Sequence, residues 1–177
     1  MHKINKTKFN GLIFFEGIKH KDSRGYLREL VVEKKIKQNF KFQIISKSKK
    51  NVLRGLHFQF KKPQGKHISV IKGEIFDVAV DLRKNSSTFS KVFTKRLSEK
   101  NATSLYIPPG FAHGFLTLAE DNIVCYSCTE YRSIGNEYGL AYNDPSLKIN
   151  WPKGKVIITE KDRLAKKLSE LIKEKII

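Results

Sequence analysis

Two cysteines, one methionine, one tryptophan and five prolines among 177 residues rule out several familiar kinds of protein. With only Cys125 and Cys128, no disulfide framework can form, and a half zinc site has no second cysteine pair to complete it. Residues 122–129 read as a strand, on which side chains three apart face opposite ways, so two buried free thiols are expected, as suits a reducing compartment. Long apolar runs are missing too. The longest near the N-terminus, residues 12–15, is far too short for a membrane span or a signal-peptide core, so no membrane association and a cytoplasmic location are expected. There is no internal repeat and no stretch rich enough in Gly, Ser or Pro to mark a linker; one domain over residues 1–177 is the expectation.

Acidic residues are also scarce, 17 against 35 Lys and Arg, for a formal charge of +18. A basic domain can be a nucleic-acid binder. Here, however, 28 of the 35 cations are Lys, scattered along the chain and not interleaved with stacking aromatics. No nucleic-acid partner is expected. The field suits a solvated surface that also steers an anionic small molecule.

What the chain has in quantity is short runs of Val, Ile, Phe and Tyr between turn signals: residues 26–32, 40–46, 52–60, 67–71, 75–82, 91–97, 104–107, 115–118 and 123–131. Many short, evenly spaced strands predict an all-β sandwich or jelly roll. Along residues 74–83, Phe76, Val78, Val80 and Leu82 share one face and Asp77, Ala79, Asp81 and Arg83 the other, so one face packs and the polar one lines a cavity or meets water. After Trp151, Leu164, Leu168, Leu171 and Ile172 recur at helical spacing and predict an amphipathic C-terminal helix starting at Asp162.

Two histidine centres stand out. Residues 52–59 read Val-Leu-Arg-Gly-Leu-His-Phe-Gln, and residues 108–115 read Pro-Pro-Gly-Phe-Ala-His-Gly-Phe. Two such histidines in a β-rich chain suggest one shared pocket. On a strand, His57 and Gln59 point one way while Phe58 and Phe60 point the other, into the core. An imidazole with an ordinary pKa of about 6.5 suits proton transfer near neutral pH.

Taken with Lys66, Tyr126 and Asp162, these motifs resemble the dTDP-4-dehydrorhamnose 3,5-epimerase family over residues 21–164. The resemblance implies a cupin-like jelly roll with short peripheral helices and a C-terminal helix, acting as a metal-independent isomerase without a cofactor. It implies that a 4-keto-6-deoxy sugar carried on a nucleoside diphosphate is inverted at C3 and C5 through enolates. His57 would be the base and Asp162 its orienting carboxylate. Lys66 would hold the enolate oxygen, and Tyr126 would be the acid on the opposite face. Arg24, Glu29, Arg54, Gln43, His113, Phe115, Tyr131, Glu137 and Lys161 would bind substrate, Tyr131 as a plate for the base. Relatives are dimers sharing strands, so a homodimer is implied.

One departure bears on specificity. Relatives usually carry Gln-x-Asn on the strand before the Arg-Gly-x-His motif, whereas an ungapped alignment places Phe42 and Ile44 there; Gln43 would face the other side unless a bulge intervenes. A metal is disfavoured, because His57-Phe-Gln59 lacks the His-x-His pair of metal-binding cupins. The rivals are an epimerase acting at C3 alone or on another nucleotide sugar, and a non-catalytic sugar-binding module.

Overall fold

A computed structural model describes residues 3–177. Two antiparallel sheets face each other. The first has six strands in the order β1 (Lys3–Lys6), β2 (Ile13–Glu16), β10 (Thr103–Ile107), β7 (Lys66–Lys72), β12 (Asp121–Cys128) and β5 (Phe42–Lys49), so β5 is an edge strand paired only with β12. The second has five: β13 (Glu137–Gly139), β6 (Leu53–Gln59), β11 (Phe111–Thr117), β8 (Glu74–Asp81) and β9 (Val92–Ser98). A hairpin of β3 (His20–Asp22) and β4 (Gly25–Leu27) stands apart, and α1 (Glu33–Ile36) follows it. The sandwich is the expected one. The expected strand at 26–32 is instead the end of this hairpin and the approach to α1, while β1 and β2 were not anticipated.

Between the sheets, Leu12, Ile68, Val70, Ala79, Leu97, Leu105, Phe115 and Val124 form a buried core. A second core, Leu56, Val78, Val80, Leu82, Leu140, Leu168 and Leu171, lies on the other side of β8, under the C-terminal segment. The alternation of β8 is therefore borne out with a twist. Its apolar face is covered by the chain's own tail, and its polar face is the one turned into the sandwich, where Asp77 and Asp81 are fully buried. Both survive there because they are bonded: Asp77 to His113, and Asp81 to Arg83, Ser86 and Thr88. The Asp81 carboxyl sits at about 2, because the Arg83, Ser86 and Thr88 bonds overcome the burial that would raise it.

The single C-terminal helix is corrected to two short ones, α2 (Glu160–Arg163) and α3 (Leu168–Lys173). The cause is a competing pairing. Ala141 N–H bonds the Lys166 carbonyl at 2.8 Å, which holds the intervening segment extended, and Leu168 N–H is taken by the Asp144 carboxylate at 2.7 Å. Leu168 and Leu171 are buried as expected, whereas Leu164 and Ile172 are exposed. Phe60 is likewise exposed, since it lies just past the end of β6, while Phe58 packs in the core.

Candidate active site

A cavity of about 580 Å³ opens between the sheets, walled on one side by β6 and on the other by β5, β7 and β12. Gly55 shapes the β6 wall. With φ at 110°, a Cβ there would lie 2.6 Å from the His113 carbonyl and 2.7 Å from Gly114 Cα, so only glycine lets β6 and β11 approach this closely. The Gly55 N–H then points at Asp162, which accepts it at 3.2 Å.

Asp162 sits on α2, whose first turn is capped by Thr159 accepting the Asp162 N–H. Its side chain is buried and its Oδ1 lies 2.7 Å from His57 Nε2, with the His57 side chain 44% exposed to the cavity. Burial pushes the Asp162 carboxyl upward, but the His57 bond, followed by the Gly55 and Thr159 bonds, brings it below the ordinary carboxylate value. With Nε2–H donated to Asp162, the other imidazole nitrogen keeps its lone pair to take a proton.

The opposing wall carries the other two expected groups. Lys66 opens β7 and lines the cavity, and its ammonium makes no hydrogen bond or ion pair among the described residues. Burial pulls it below the ordinary lysine value, opposed by the charges of Cys128, Glu137 and Asp77. An ammonium without a fixed partner is available to an oxyanion. On β12, Tyr126 reaches the same space and lies 3.1 Å from Ser46 Oγ; burial raises its phenol far above the usual value.

Arg54, Glu137 and Lys161 also line the cavity, with Arg132 gripping Glu137 through two bonds of 2.9 Å and holding its carboxyl low. Four cations, Arg54, Lys66, Arg132 and Lys161, against Glu137 and Asp162 suit a dianionic ligand. Gln64, Ser46 and Thr159 were not anticipated from the sequence; they join the wall through the β6–β7 loop, strand register and a helix cap respectively, none of which carries a local signature.

Six expected residues stand elsewhere. His113 and Phe115 lie beneath the cavity: His113 is 4% exposed, bonded to Asp77 at 2.8 Å and packed edge-on to Tyr126. They support Tyr126 from behind, because β11 lies inside the sheet. Gln43 is turned from the cavity toward Ser127, to which it donates at 3.2 Å; β5 pairs with β12 in unbroken register, so Ile44 and Ser46 face inward instead. Tyr131 stacks on Phe42 (5.9 Å, 11°) outside the lining, as an exposed plate. Arg24, at the tip of the β3–β4 hairpin, pairs with Asp22, and Glu29 is exposed beyond it. Among the described residues no group of three His, Cys, Asp or Glu side chains could hold a metal. Cys125 and Cys128 are free thiols as expected, but only Cys128 is buried; Cys125 is half-buried.

A histidine on one sheet bonded to an aspartate from α2, facing an unpaired ammonium and a phenol on the other sheet inside a cupin-like sandwich, suits an acid–base isomerase of nucleotide-linked sugars. The comparisons with known proteins agree. The profile described as dTDP-4-dehydrorhamnose 3,5-epimerase matches residues 6–170. The enzyme of that name from Methanothermobacter thermautotrophicus is 47% identical over 173 residues, covering 93% of this chain and 94% of its own. The dTDP-6-deoxy-D-glucose-3,5-epimerase of Legionella pneumophila, solved with dTDP-4-keto-L-rhamnose, superposes with a TM-score of 0.94 at 38% identity, covering 100% of this chain and 97% of that one. The Bacillus anthracis dTDP-4-dehydrorhamnose 3,5-epimerase, solved with TDP and pyrophosphate, gives 0.90 at 38% identity, covering 95% of this chain and 100% of that one. This chain belongs to the dTDP-4-dehydrorhamnose 3,5-epimerase family.

Proposed function

We propose that this chain inverts C3 and C5 of dTDP-4-keto-6-deoxyglucose in two successive enolisations that share one set of groups. The observation that carries the reading is the His57–Asp162 bond on one wall facing Lys66 and Tyr126 on the other. His57 takes the C–H proton beside the C4 ketone, and the electron pair moves onto the carbonyl oxygen. The Lys66 ammonium holds that oxyanion; its burial both weakens its hold on its own proton and strengthens its field. Tyr126 then gives its proton to the opposite face of the carbon, and exchange with water returns the imidazolium and phenolate to their starting states. Asp162 stabilises the imidazolium. Arg54, Arg132 and Lys161 bind the diphosphate, and the Phe42–Tyr131 plate offers a stacking surface for the base. The cycle is complete without a cofactor or metal.

A homodimer belongs to the same reading. Tyr26 and Leu27 are exposed on the β3–β4 hairpin beside Arg24 and Glu29, an apolar surface suited to a second copy that would carry those two polar side chains toward the partner's cavity. Sedimentation of an active monomer would contradict this. A cytoplasmic location is supported by the two free thiols and by the family's sugar-nucleotide chemistry; no helix is long and apolar enough to cross a membrane among the described residues.

The deciding experiment incubates the protein with dTDP-4-keto-6-deoxyglucose in heavy water. Deuterium at C3 and C5 with inversion at both is expected. Inversion at C3 alone would reduce the reading to a monoepimerase, and exchange at neither carbon would leave a binding module.

A further inference from the structure

We infer that Ser46 is a positioning residue for the acid step, its hydroxyl aiming the Tyr126 phenol into the cavity and steadying the phenolate left when the proton is given up. This rests on the reading of Tyr126 as the acid. The geometry comes from strand register: Tyr126 pairs with Ile44 and Val124 with Ser46, so Ser46 and Tyr126 are diagonal neighbours on one face of the β5–β12 pair. Their oxygens lie 3.1 Å apart and both side chains line the cavity. Tyr126 is the only hydrogen-bond partner of the Ser46 side chain among the described residues, so nothing else accounts for how that hydroxyl is placed.

A hydroxyl has one proton to donate. When Ser46 donates to the phenol oxygen, the Tyr126 proton is left free to point at the sugar. After transfer, the same bond becomes charge-assisted and roughly twice as strong. It therefore strengthens as the reaction proceeds, which is the condition for accelerating a step and not merely for binding. Burial opposes formation of the phenolate, and the Ser46 bond and the Arg54 charge are what counter it.

The test compares wild type, Ser46→Ala and Ser46→Thr in heavy water with dTDP-4-keto-6-deoxyglucose, following deuterium incorporation and inversion separately. Ser46→Ala should slow inversion about tenfold, or about 1.4 kcal/mol, while exchange slows less than about twofold and KM stays within about twofold. Ser46→Thr, which keeps the hydroxyl on a β-compatible side chain, should restore inversion. An unchanged ratio of exchange to inversion in Ser46→Ala overturns the inference, as does a Ser46→Thr protein that behaves like Ser46→Ala. A wild-type protein that neither exchanges nor inverts overturns the catalytic reading and Ser46's role with it, an outcome distinct from an active wild type with an indifferent Ser46.

Discussion

Two histidine–aspartate pairs lie side by side in this fold, on strands that place His57 directly opposite His113. Their bonds are nearly equal in length, 2.7 Å for His57–Asp162 and 2.8 Å for His113–Asp77. Their surroundings differ: the His57 side chain is 44% exposed and opens on the cavity, whereas His113 is 4% exposed and lies under Tyr126. On the proposed function the same hydrogen bond serves a proton carrier in one place and a structural post in the other. Access separates them, since a base must meet substrate and then release the proton it has taken to water, and a sealed ring can do neither.

The contrast can be broken from either side. His57→Ala should lower kcat by about a thousandfold, within the range for loss of a general base, while the melting temperature moves by less than about 2 °C; calorimetry beside the kinetic assay would read both. His113→Ala should do the reverse. It strands Asp77, whose Oδ1 already has no partner, without its one bonded neighbour, so stability should fall by about 3 kcal/mol and the melting temperature by about 6–12 °C. Exchange per folded molecule should stay within about tenfold. A His113→Ala protein of native stability, inactive at His57's task, would dissolve the distinction.

Asp162→Asn sharpens the comparison with a smaller effect. The base remains but loses the charge that favours its protonated form, so kcat should fall about ten- to a hundredfold with a displaced pH profile. Stability adds a sign. The folded-state carboxyl of Asp162 is lowered, so its contribution is present above the ordinary value near 4 and is lost as pH falls through the lower folded value. The stability gap between wild type and Asp162→Asn should therefore close as the pH is taken from about 5 toward 3, as denaturant titrations would show. The smallest effect belongs to Gln43→Ala. Its side chain turns away from the cavity toward Ser127, and KM and kcat should stay within about twofold.

How much of this was legible beforehand depends on how far each signal reaches along the chain. The strands from β5 to β12 announced themselves through alternation and turn residues, because burial of a sheet face writes a local pattern. β1, with the sequence Lys-Ile-Asn-Lys, is a half-exposed edge strand and writes none. The four central groups were found through motif resemblance; composition could not have brought Asp162 to His57 across 105 positions. Ser46 escaped because membership of the cavity is decided by where two sheets face each other, and Gln64 because it reaches the wall from the β6–β7 loop. The depth of His113 was not legible because a strand shows which residues share a face but not how deep each one lies. The split C-terminal helix has a similar cause: the Lys166 carbonyl is claimed by Ala141, a partner that helical periodicity cannot reveal.

The edge position of β5 bears on which changes the cavity tolerates. His57, Lys66 and Tyr126 stand on strands held from both sides, β6 between β13 and β11, β7 between β10 and β12, β12 between β7 and β5, so changes around them must satisfy two neighbours at once. Phe42, Ile44 and Ser46 stand on β5, which has one neighbouring strand among the described residues. Substitutions at 44 would reshape the cavity wall, and substitutions at 42 the stacked plate outside it, while His57, Lys66 and Tyr126 keep their scaffold. On the proposed function, a small library at these two positions should alter which sugar nucleotide is accepted more than it alters turnover, which kinetics with several sugar nucleotides would show.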